Sequence, residues 1–75
     1  MDQIERLENQ AIDAAIKSDW EQAIAINSQI LEHDKKNVQA ILRIAYAHLQ
    51  TGTYEHAKKY YHKALRAQPR NGVAH

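Results

Sequence analysis

Seventy-five residues without a cysteine make one small domain that neither a disulfide nor a thiolate-bound metal can staple. The opening MDQIERLEN is acidic and polar, unlike a signal peptide, and no apolar run is long enough to span a bilayer, so the expected compartment is the cytoplasm and no membrane partner is expected. The net charge of +1 conceals a split: residues 1–34 carry eight acids against Arg6 and Lys17 (−6), whereas residues 35–75 carry eight bases against Glu55 (+7). Such a chain can attract its own copies head to tail, or it can simply present two solvated helix faces of opposite sign.

With two glycines, one proline and no phenylalanine among abundant alanine, isoleucine, leucine, glutamine and lysine, the composition is that of helices. Apolar residues recur at three- and four-residue steps (Ile4, Leu7, Ala11, Ala14, Ala15, then Trp20, Ala23, Ile24, Ile30, Leu31), the period of an amphipathic helix and not of a strand. A first helix is predicted over 2–17, ended by Ser18-Asp19. Asp19 is placed to N-cap a second helix over 20–33, with Gln22 at capping-box spacing. After the polar stretch His33-Asp34-Lys35-Lys36, Asn37 caps a third helix over 38–51. Gly52 suits the left-handed turn that follows, and Thr53 is the expected cap of a fourth helix over 54–67. Pro69 then halts the chain's helix, and Asn71 and Val73 look like the first turn of a fifth, truncated at 72–75.

A shift of 34 residues superimposes the two halves: Leu7 on Ile41, Ala11 on Ala45, Trp20 on Tyr54, Ala23 on Ala57, Leu31 on Leu65 and Asn37 on Asn71. Charge is not repeated, but size and apolarity are. Small residues recur where the two helices of a hairpin must approach closely, and large ones beside the turn. Trp20 and Tyr54 are therefore expected in equivalent surroundings.

The period and its motifs resemble the tetratricopeptide repeat (TPR) family. Residues 38–71 carry Ile41-x2-Ile44-Ala45-x2-His48, then Ala57-x3-Tyr61, Ala64 and Pro69. Residues 4–37 are a more degenerate copy, with Leu7-x2-Gln10-Ala11-x2-Ala14, Ala23-x3-Asn27, and Lys35 where the family has proline. The resemblance implies an all-α solenoid of two antiparallel helix-turn-helix hairpins, used for protein binding. A plain four-helix bundle is the rival fold.

Chemistry-bearing patterns are sparse. With no cysteine nucleophile, no glycine-rich phosphate loop and no histidine pair at metal-ligand spacing with a third ligand, no catalytic residue, metal site or cofactor is expected. His48 falls where the family packs an aromatic residue and is expected to be packed, not a base. The resemblance implies a concave binding face lined by the first helix of each repeat. Its expected partner-binding residues are Asn9, Ile12 and Ile16 from the first helix, with Gln39, Leu42, Arg43, Tyr46 and Leu49 from the third. Asn9 and Arg43 fall on positions of the family's carboxylate clamp, but Gln39 stands in place of its lysine. The apolar majority favours a helix or extended segment as ligand, unless neighbouring helices cover it.

The fourth helix carries a basic stripe (Lys59, Lys63, Arg66, Arg70, with Lys58 and His62 beside it). Non-specific attraction to nucleic acid is one meaning of the stripe; a solvated face is the favoured one, because few aromatics interleave it. Tyr60, Tyr61 and Leu65 are expected to mediate self-association, giving a homo-oligomer by symmetric pairing or by hairpin exchange, since repeat arrays leave an apolar side for a neighbour. A self-assembling structural unit is thus an alternative to a ligand-binding module.

Overall fold

Among the described residues, the breaks at 18–19, 34–37 and 52–53 fall where the chain turns. The computed structural model describes residues 3–67, in which α1 spans Gln3–Ile16, α2 Trp20–His33, α3 Val38–Thr51 and α4 Tyr54–Ala67. Lys17, expected in the first helix, belongs to the turn. No strand occurs among the described residues, and the fold is all-α. Each helix packs on the next in chain order. The halt at Pro69, Arg70 of the basic stripe, and the fifth-helix start at Asn71 and Val73 lie outside the described residues.

Both hairpins turn by the same device. After α3, Gly52 takes φ +83°, Thr53 N–H donates to the His48 carbonyl at 2.9 Å and Gly52 N–H to that of Leu49 at 3.3 Å. After α1, Ser18 takes φ +59°, Asp19 N–H donates to the Ala14 carbonyl at 2.8 Å and Ser18 N–H to that of Ala15 at 2.9 Å. These paired bonds satisfy the last carbonyls of each helix around one left-handed residue. Ser18 and Gly52 are 34 residues apart, so a repeat position that suits glycine holds a serine in the first copy.

The starts of the helices depart from expectation at two points. Asp19 Oδ1 accepts from Gln22 N–H at 3.4 Å, a long cap, and the reciprocal arm of the box is not made because Asp19 N–H is already given to Ala14. Asn37 caps α3 as expected, its Oδ1 accepting from Ala40 N–H at 3.0 Å. Thr53 does not turn its hydroxyl toward α4: Oγ1 donates back to the His48 carbonyl at 3.1 Å and meets His48 Nδ1 at 2.8 Å. Nearness to the end of α3 wins, since the same turn that gives the Thr53 N–H to that carbonyl brings the carbonyl within reach of the hydroxyl.

The core follows the repeat. Ala11, Ala23, Ala45 and Ala57, the small positions, are all buried, and around them lie Leu7, Ile26, Ile30, Ile41 and Ile44. Each fully buried isoleucine contributes about 1.5–3 kcal/mol relative to exposure. Trp20 and Tyr54 are not equivalent, contrary to expectation. Trp20 is half-buried, edge-on to Tyr46 of α3 at 5.7 Å between ring centres and 75° between planes, whereas Tyr54 is 65% exposed. Trp20 has the next hairpin to lean on; beyond α4 no further helix is described.

Glycine should be the better residue at both left-handed positions. Ser18→Gly is expected to raise stability by ~0.5–1 kcal/mol, and Gly52→Ala to lower it by ~1–2 kcal/mol. A Cβ at position 52 would meet nothing within 4 Å, so the loss is backbone strain and not a clash. Urea midpoints at constant m-value measure both; a neutral Gly52→Ala would contradict the strain argument.

Candidate partner-binding groove

A hairpin whose helices touch through alanines leaves space beside the contact. Between α1, α2 and α3 that space is a cleft of about 190 Å³, walled by Ala11, Ala15, Trp20, Ala23, Leu42 and Tyr46 and carrying three polar side chains, Asn27, Gln39 and Arg43. On α3, the steps from Gln39 to Leu42, Arg43 and Tyr46 repeat every three or four residues, which puts all four on the helix side that faces α2. The T-shaped contact of Trp20 with Tyr46 ties the start of α2 to the middle of α3.

Of the expected partner-binding residues, the structure brings Gln39, Leu42, Arg43 and Tyr46 together in this cleft. Asn9, Ile12, Ile16 and Leu49 are exposed and lie outside it, Ile16 being 76% exposed. Sequence reasoning assigned the face to α1 and α3 and so missed what α2 contributes: Trp20, Ala23 and Asn27. One signal was present. Asn27 occupies the position held by Tyr61 in the second repeat, and so small a side chain there leaves a void.

Two polar atoms of the cleft stand out. Asn27 is 1% exposed; its Nδ2 donates to the Ala23 carbonyl at 2.8 Å, while its Oδ1 has no hydrogen-bond partner in the protein. Arg43 is half-buried and its Nη1 is likewise buried and unpartnered. An ion pair, Lys17 with Asp13 at 3.1 Å, lies elsewhere on the surface.

The outer face of α4 is different in kind. A larger hollow of about 640 Å³ runs along it, formed by Glu55, Lys58, Lys59, Tyr60, His62, Lys63 and Arg66. All seven belong to one helix, so the hollow is the space between splayed side chains and has no opposing wall. Lys63 Nζ sits 5.4 Å from the Tyr60 ring centre. Of the three expected self-association residues, Tyr60 is half-buried, stacked on His48 at 5.7 Å; Tyr61 and Leu65 face outward.

No group of three or more histidine, cysteine, aspartate or glutamate side chains that could hold a metal occurs among the described residues. Nor, among them, is any helix long and apolar enough to cross a membrane. A family model described as tetratricopeptide repeat matches residues 14–75. No curated protein and no solved structure matches the chain.

His48 links this architecture to pH. Its ring stacks on His56 at 5.0 Å and on Tyr60, and burial first, then the charge of His56, hold its pKa below the usual histidine value near 6.5. As pH falls, the unfolded chain therefore takes up this proton before the folded one, so the contribution is neutral above about 6.5 and destabilising below it. Thermal melts from about pH 8 down to about pH 5 should show a falling midpoint, and His48→Gln should flatten that fall. An unchanged slope in the variant would place the titrating group elsewhere.

Proposed function

Since the chain belongs to the tetratricopeptide repeat family, we propose that it is a cytoplasmic protein-interaction module whose concave groove, between α1 and α3, receives an extended or helical segment of a partner. Repeats of this kind are a non-catalytic interaction fold that works through such concave surfaces. The single observation that carries the groove is the apolar cleft itself, with Leu42 and Tyr46 beside buried polar atoms. Apolar walls supply affinity and a few placed polar groups supply orientation. We take the repeats to be 4–37 and 38–71.

Peptides selected from a random display library on the folded chain test this. Tyr46→Ala and Leu42→Ala should each weaken the selected peptides by ~1–2 kcal/mol, because buried aromatic and aliphatic anchors dominate interfaces. Lys59→Ala and Lys63→Ala, on α4, should change little. Equal loss at both surfaces would favour an electrostatic binder of acidic or nucleic-acid partners over the groove.

A second interaction, with its own copies, is favoured by one comparison. Leu65 is 66% exposed, whereas its repeat counterpart Leu31 is half-buried against the core cluster. The acidic first half and basic second half of the sequence would bring a second copy to α4 in head-to-tail or antiparallel register. Light scattering should then report a dimer or larger species at high protein concentration, loosened by salt, with Leu65→Lys shifting it toward monomer. A monomer at every concentration would defeat this arrangement and leave the groove untouched.

A further inference from the structure

We infer that the cleft between α1, α2 and α3 takes the carboxamide of a glutamine or asparagine side chain, held between Asn27 Oδ1 and Arg43 Nη1. The inference rests on the proposal that the concave face is the binding face, and it names what that face selects.

The chemistry follows from the two unpartnered atoms. The Asn27 amide is oriented by its Nδ2 bond to the Ala23 carbonyl at 2.8 Å, because the reversed amide would set two acceptors against each other. The unmet atom is therefore an acceptor. The unmet atom of Arg43 is a donor that cannot lose its proton. Both atoms are buried, and the side chains that carry them line one cleft whose walls are mostly apolar, where an unmatched polar atom is most costly. A carboxylate would satisfy Arg43 but set its second oxygen against Oδ1. An ammonium would satisfy Oδ1 but face a guanidinium. An aliphatic side chain answers neither. A primary carboxamide brings an N–H to the acceptor and a carbonyl to the donor, and the methylenes behind it can lie against Trp20 and Tyr46. Size agrees: about 190 Å³ is below the roughly 300–1,000 Å³ of small-molecule pockets and suits one side chain.

Positional-scanning pentapeptide mixtures, random except for a central Gln, Asn, Glu, Lys, Leu or Met, test the assignment on the full chain. The Gln or Asn mixture should bind roughly ten-fold more tightly than the others, about what one or two net hydrogen bonds supply. Asn27→Leu and Arg43→Met should each abolish that preference, whereas Lys59→Ala, on the outer face of α4 and away from the cleft, should leave both the preference and the weaker mixtures as they are. Binding that depends on Tyr46 but shows no central preference overturns the carboxamide and keeps the groove; a backbone amide in the cleft would read out this way. A preference for the Glu mixture would make the cleft a carboxylate site and also overturn it. If no mixture depends on Tyr46, the groove proposal falls, and butyramide alone decides the inference by NMR. Shifts of the Asn27 side-chain amide with butyramide and not with butyrate sustain it. Shifts with neither mean that the two atoms hold a water only, and overturn it.

Discussion

A methyl group sets the spacing on which the rest of this molecule depends. Ala11, Ala23, Ala45 and Ala57 are all buried at equivalent points of the two repeats, and helices meeting through side chains this small can pack at the close end of the usual 8–10 Å range. With the helices that close, only short connections are possible, and a connection so short must reverse the chain through a left-handed residue. With the centre filled by methyls, the larger side chains are displaced to the flanks, where they join one hairpin to the next. Trp20 meeting Tyr46 is one such joint. Turns, core and groove are consequences of the same steric economy.

Most of the fold was legible because it is written in local chemistry. Asn37, Gly52 and the apolar period act within a few residues of themselves, so α2 and α3 begin and end, and α4 begins, where the sequence puts them. Where two local demands compete, sequence alone ranks them wrongly. Asp19 could complete a capping box or close the preceding turn with its N–H, and Thr53 could cap α4 or bond the end of α3. In each case the closure of the preceding helix prevails. Both choices depend on the turn being already formed, which no spacing rule expresses.

The groove was half legible for a different reason. Residues on α3 share a face by helical period, so Gln39, Leu42, Arg43 and Tyr46 could be grouped without a structure. What α2 adds depends on the relative placement of helices, and a void is the absence of a side chain. Asn27 was visible only as a departure from the aromatic of its repeat counterpart. That this departure leaves one acceptor and one donor buried is a fact of three dimensions. The aromatic pair likewise escaped symmetry: Trp20 and Tyr54 share a repeat position but not a neighbour, so identical local signals end in unlike burial.

The distribution of buried residues along the chain has a consequence for how the molecule opens. Only Ala57 and Ala64 anchor α4, against five buried residues on α3. Local opening takes place where the least apolar area must be exposed, so α4 is the segment whose amides exchange with solvent first. The cleft draws its walls from α1, α2 and α3 alone. A molecule with α4 transiently detached therefore keeps every residue that lines the cleft in place on α1, α2 and α3 while baring the apolar back of α3.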